Sequence, residues 1–134
     1  MPLLFTQITS APNVNSNEFV DIPQLFIDLP PASAELRQAL IILNVPQPFA
    51  EGNDTPGLDF AINVEGKVVA TGGFTYPMTQ PQSFARVPFT LVVRVNLRND
   101  GQQSHVHAQW RSVRSSTGHI DSFASISAVL DSNY

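Results

Sequence analysis

No cysteine occurs in the 134 residues, so disulfides, thiolate metal sites and cysteine nucleophiles are excluded. Charge is scarce as well. Asp, Glu, Lys and Arg make up 13% of the chain, about half the usual share. Seven basic against eleven acidic side chains leave a net charge of −4, which speaks against nucleic acid as a partner. Long apolar runs are missing: the longest, residues 39–43, is far short of a membrane span, so no membrane insertion is expected. The opening MPLLFTQITSAPN has no basic segment and its apolar run stops at Phe5, so no secretory signal is expected. The chain reads as soluble and made in the cytoplasm. If it acts outside the cell or at a cell surface, its export route is not written in these residues.

Enzyme signatures are missing too. There is no G-x-S-x-G, no H-E-x-x-H and no Gly-rich phosphate loop. Asp54 and Asp59 are the nearest pair for glycosidase chemistry, but seven Asp and four Glu scattered over loops produce such pairs by chance. No enzyme is expected.

Hydrophobic residues make up 43% of the chain, which excludes disorder. The length suits one domain, residues 1–134, burying about two-thirds of its unfolded surface. Eleven prolines, spread from Pro2 to Pro88, interrupt any long helix. Between them lie short runs rich in Val, Ile, Phe and Thr, which predict strands over 3–9, 19–28, 39–45, 58–64, 67–76, 87–98, 104–114 and 120–130. In the last of these Ala124, Ile126, Ala128 and Leu130 alternate with Ser125, Ser127 and Val129, the period of a strand with one buried face. Glu65-Gly66 predicts a two-residue hairpin turn, and Asn99, Asp100 and Gly101 predict a second. Only the stretch from Ser33 to Leu40 has helix propensity; Ser33 caps at most one turn there, because Ile41 to Leu43 favour a strand. Eight or so short strands predict an all-β jelly roll or sandwich.

Polar candidates are few. His105 and His107 sit two apart on a predicted strand and share a face, as metal ligands do, but no third ligand is spaced to join them. His119 and Asp121 share a face in the same way, which suits a structural hydrogen bond. Six of the seven basic residues are arginines, at positions 37, 86, 94, 98, 111 and 114. A guanidinium is a rigid fork of donors suited to vicinal hydroxyls or carboxylates. Trp110 lies near Arg114 and Phe84 near Arg86, and aromatic faces beside planar donors are how proteins hold sugars. A core Trp with surface ion pairs accounts for the same residues, so these positions alone leave both readings open.

Short blocks along the chain are more specific. They include MPLL at the start, SAP at 10–12, VDIP at 20–23, LNVP at 43–46, GN at 52–53 and PG at 56–57. FAI at 60–62, FTY at 74–76, PFTLV at 88–92, QW at 109–110, SVR at 112–114 and HIDS at 119–122 continue the series. In this order the blocks resemble the tumour-necrosis-factor-like, fucose-binding lectin family known from the N-terminal domain of the Burkholderia superlectin. The evident length difference in the second half is a two-residue insertion near 100–103, a hairpin tip where insertions are cheap.

The resemblance implies a TNF-like jelly-roll β-sandwich in a threefold homotrimer, with metal-free, cofactor-free sites between subunits for fucosylated or related glycans. One wall corresponds to Thr75, Tyr76 and Arg114; the facing wall, from the next subunit, includes Ser83 and Arg86. This chain departs from the family at three wall positions: Phe49 and Asp59 stand where the family has tyrosine, and Phe84 where it has threonine. Asp59 is expected either to pair with Arg114 or to accept bonds from sugar hydroxyls. Thr71 and Gln82 replace acidic residues that bear on the rest of the oligosaccharide. The alternative is a trimeric structural or signalling module that has lost its sugar site.

Overall fold

Alternation with a period of two decides most of the elements. Along residues 104–113 Ser104, Val106, Ala108, Trp110 and Ser112 are buried, while His105 and the half-buried His107, Gln109 and Arg111 turn outward. The computed structural model describes residues 2–79, 84–121 and 123–132, and every regular element among them is a strand. These are β1 (Leu3–Gln7), β2 (Asn13–Val14), β3 (Val20–Leu29), β4 (Gln38–Val45), β5 (Pro48–Glu51) and β6 (Gly57–Val64). They continue with β7 (Lys67–Thr75), β8 (Phe89–Asn96), β9 (Ser104–Val113), β10 (Thr117–Ile120) and β11 (Ser125–Asp131).

Two four-stranded antiparallel sheets, ordered β1-β11-β4-β8 and β3-β9-β6-β7, pack face to face, with a short β2-β10-β5 sheet beside them. Most neighbours in each large sheet are distant in sequence, the connectivity of a jelly roll. The first large sheet sends Ile41, Leu43, Ile126 and Ala128 into the core; the second sends Leu58, Phe60, Ile62, Val106 and Trp110. Phe60 and Phe89 stack across the two sheets with ring centroids 4.7 Å apart. Such a core favours the folded state by roughly 1.5–3 kcal/mol for each large side chain fully buried.

Of the two predicted hairpins one forms, between β6 and β7. Glu65 and Gly66 take φ values of 52° and 82°, the left-handed pair of a type I′ turn, and Gly66 N–H donates to Asn63 Oδ1 at 2.9 Å. The second predicted hairpin, at Asn99–Gly101, is instead a turn between sheets: Gly101 has φ 80°, but β8 pairs with β4 and β9 with β3 and β6, so the chain crosses from one large sheet to the other. Pro23 lies on edge strand β3, at a bulge where Gln24 has φ 67° and the register to β9 shifts, one of the places a sheet tolerates proline.

Two further expectations change. The segment at Ser33 is a bend: its hydroxyl accepts from Glu35 N–H and Leu36 N–H as a cap would, but Arg37 N–H donates to Asp131 O at 2.7 Å and draws the chain into β4. The strand predicted over 120–130 is two strands. Ile120 closes β10 against Pro48, Phe123 adopts φ 27°, and β11 begins at Ser125 in a different sheet. The alternation misled because both halves bury the same side of the chain. Strands β2, β5 and β10, two to four residues each, are too short for any periodicity to announce them. No helix among the described residues is long and apolar enough to cross a membrane.

The outward faces of the large sheets differ. On β1-β11-β4-β8 the register aligns Leu3, Val129, Leu40 and Arg94 in one row and Phe5, Ser127, Ile42 and Val92 in the next. Leu3, Phe5 and Val92 are each more than half exposed. On β3-β9-β6-β7 the rows are more polar, with bonded pairs such as Asp59–Arg111 and Asp21–Gln109, although Phe26 and Val68 are exposed at the two ends of one row.

Candidate functional site

Arg114 sits in the tight turn between β9 and β10, where it and Ser115 have φ values of 50° and 58°. Left-handed backbone costs a non-glycine residue roughly 1–2 kcal/mol, and the side chain offsets this with three hydrogen bonds. Its Nε donates to Thr55 O at 2.7 Å and to Asp54 O at 3.2 Å, and a terminal amino group donates to Thr75 Oγ1 at 2.8 Å. Thr75 ends β7 opposite Gly57 and is exposed. Among the described residues no carboxylate pairs with Arg114, so its charge is held in place but left uncompensated. That is a preorganised donor at the surface.

Next to Thr75 an open cleft of about 450 Å³ is lined by Phe19, Asp59, Thr71, Gly72, Gly73, Phe74, Thr75 and Arg111. Its floor is bare strand where Gly73 lies opposite Asp59. A Cβ at Gly73 would come 2.2 Å from Leu58 O and 2.7 Å from Asp59 Oδ1, so only glycine lets the strands and the carboxylate sit this close. Asp59 Oδ2 accepts from Arg111 Nε at 2.9 Å, and the Arg111 guanidinium lies 4.4 Å over the Phe19 ring.

A second group gathers around Phe49. Its ring stacks on His119, centroids 4.6 Å apart, while the Arg86 guanidinium lies 3.9 Å from its centroid. Arg86 is ion-paired to Asp121. Tyr76 is buried, donates its hydroxyl proton to Ala85 O at 2.6 Å and packs edge-on against Phe84. Burial pushes its phenol above the usual value near 10, so at neutral pH it remains a donor. His119 Nε2 is buried without a hydrogen bond, although Glu51 Oε2 is 3.4 Å away.

The seven candidate residues that lie among the described residues make two sets of direct contacts, bridged by Phe74, which lines the cleft and packs on Tyr76 with ring centroids 5.7 Å apart. Thr75 meets Arg114 directly, and Asp59 lies across the glycine floor from Thr75. Phe49, Arg86, Tyr76 and Phe84 form the other group, and no hydrogen bond or ion pair among the described residues joins it to Arg114. Ser83 and Gln82 lie outside the described residues. The expected pairing of Asp59 with Arg114 does not occur: Asp59 is one cross-strand step from Arg111 and bonds to it, leaving Arg114 charged. Tyr76 is chiefly a core residue whose hydroxyl is spent on the backbone.

Arg111 and Phe19 were not singled out as site residues. The alternation of β9 around Trp110 placed Arg111 outward, but nothing in the sequence showed that Asp59 would stand beside it. His105 and His107 do not converge on a common point; each turns to an aspartate of β3, Asp28 at 2.6 Å and Asp21 at 3.7 Å. Among the described residues no three His, Cys, Asp or Glu side chains gather as metal ligands.

Comparisons with known proteins complete the description. No curated protein matches the chain. Among solved structures, the C-terminal domain of EclA, a sugar-binding protein, is 14% identical, covers 89% of this chain and 78% of that one, and superposes with a TM-score of 0.48. A family 35 carbohydrate-binding module from Clostridium thermocellum is 11% identical, with 94% and 98% covered and a TM-score of 0.43. The insecticidal delta-endotoxin Cry8Ea1 from Bacillus thuringiensis is 12% identical, with 88% and 19% covered and a TM-score of 0.40. The family model described as Bc2l-C, N-terminal domain, matches residues 6–129. The chain belongs to that family, a family of lectins.

Proposed function

We propose that this chain, acting as one lectin domain over residues 1–134, assembles as a homotrimer and holds fucosylated or related glycans in clefts between subunits. Neither metal nor catalysis has a part in this reading. The observation that carries it is Arg114, fixed by two carbonyls and the Thr75 hydroxyl yet matched by no carboxylate among the described residues. A rigid fork with spare donors at a surface cleft suits sugar oxygens. In this reading Thr75, Tyr76, Asp59 and Arg114 belong to the wall from one subunit, and Phe49, Phe84, Arg86 and Ser83 to the wall from the next. The exposed Leu3, Phe5, Leu40 and Val92 support assembly, since contiguous apolar patches mark interaction surfaces.

A lone sugar site of millimolar Kd supplies only about −4 kcal/mol. Several sites on one trimer raise apparent affinity by about 10²–10⁴ when the glycans are spaced to reach them. A glycan array at neutral pH, read with the oligomeric mass and an Arg114→Ala control, tests the reading. The expected result is a trimer that binds a defined glycan set and loses it with Arg114. Binding to no glycan would leave a trimeric structural or signalling module instead.

A further inference from the structure

The Asp59–Arg111 pair borders the cleft beside Thr75 without closing it. One edge of the guanidinium is fixed by Asp59 at 2.9 Å and one face by Phe19 at 4.4 Å. Among the described residues, the two terminal amino groups of Arg111 have no hydrogen-bond partner, and Asp59 Oδ1 accepts no hydrogen bond. Both side chains are about one-third exposed, so a ligand in the cleft reaches them. Gly73 keeps the adjoining floor free of a side chain, and any larger residue there would displace the carboxylate.

The chemistry of this pair differs from that of Arg114. Arg111 already has a matching charge, so an anionic ligand would gain little from it and would face Asp59. A neutral polyol fits better. One hydroxyl oxygen accepts from a free amino group of Arg111, and the hydroxyl on the adjacent carbon donates to Asp59 Oδ1. We propose that Asp59 and Arg111 form a donor–acceptor couple that reads a vicinal diol on the sugar in this cleft, which makes Arg111 a specificity-determining residue. This rests on the carbohydrate reading above and adds to it the feature of the sugar that is recognised.

The test uses the whole chain. A glycan array identifies the best-bound glycan, and titration calorimetry then compares it with its mono-deoxy derivatives. In the unaltered chain, removing either hydroxyl of one vicinal pair is expected to weaken binding by about tenfold, one directional bond to a charged group being worth at least that. In Arg111→Ala one of those two penalties vanishes while penalties at other hydroxyls persist, a change that a merely structural ion pair would not produce. Arg111→Lys keeps the charge but loses the fork, and is expected to weaken binding nearly as much. Glycan binding with no vicinal pair of sensitive hydroxyls, or an Arg111→Ala profile identical to wild type, overturns this inference and leaves the carbohydrate reading standing. Binding of the unaltered chain to no glycan overturns both. Should the Arg111 variants fail to fold, the same comparison is made with Asp59→Asn, where the other of the two penalties is expected to shrink, and an unchanged profile overturns the inference.

Discussion

The two large sheets enclose one core but turn unlike faces outward. The face of β1-β11-β4-β8 carries Leu3, Phe5, Leu40 and Val92 in register, side chains that gain nothing from water. The face of β3-β9-β6-β7 carries Asp59 bonded to Arg111, Asp21 bonded to Gln109 and Asp28 bonded to His105. Each of these polar side chains has a bonded neighbour, while the Arg111 amino groups and Asp59 Oδ1 keep bonding capacity for a ligand. The contrast teaches that exposure and completeness are separate matters. One face carries mostly bonded polar side chains; the other has a row of hydrophobic surface left over, which suits the contact with a second copy proposed above.

Placing a charge in the centre of the apolar face is expected to have the largest effect. Ile42→Asp should convert the proposed trimer to a 14.6 kDa monomer by sedimentation, with the far-ultraviolet spectrum unchanged because the side chain points away from the core. Wild-type protein that sediments as a monomer would break the comparison outright. Arg114→Ala comes next. It should lower glycan affinity by about 10- to 100-fold, the equivalent of losing one or two bonds to a charged donor, while the trimer persists.

Tyr76→Phe is expected to cost about 1–2 kcal/mol of stability in chemical denaturation, because it leaves the Ala85 carbonyl without its donor. Glycan binding should change much less, which would mark Tyr76 as a support for Phe84 and not as a contact. A pH effect on the polar face should be the smallest. The hydrogen bond to Asp28 holds the His105 imidazole above its usual value near 6.5. A raised value means stabilisation that is complete below about pH 6.5 and is lost as pH rises through the folded-state value. The melting-temperature gap between wild type and His105→Gln should therefore narrow from pH 6 to pH 8; a gap that widens would reverse the assignment.

Much of this fold was legible in the residues. The long strands announced themselves because each buries one side, and Glu65-Gly66 and Gly101 announced turns because few residues accept positive φ. The short sheet of β2, β10 and β5 was not legible, since a strand of two to four residues has no period to detect. The site was partly legible. Thr75 and Arg114 were named through neighbouring blocks of sequence, and they meet at 2.8 Å. Of the two alternatives for Asp59, pairing with Arg114 fails, because Arg111 and Arg114 are three residues apart in sequence and only the register of β6 against β9 decides between them.

By itself, the order of residues determined an all-β chain, its principal turns, the lack of thiol chemistry and the family to which it belongs. These follow from local preference, composition and matched blocks, none of which requires knowing what lies across a strand. Tertiary structure alone decided that Asp59 faces Arg111, that Tyr76 points into the core, and that Gly73 leaves a cleft open between Thr75 and a neutralised guanidinium. Those outcomes depend on cross-strand register, where a shift of one residue turns every side chain to the opposite face.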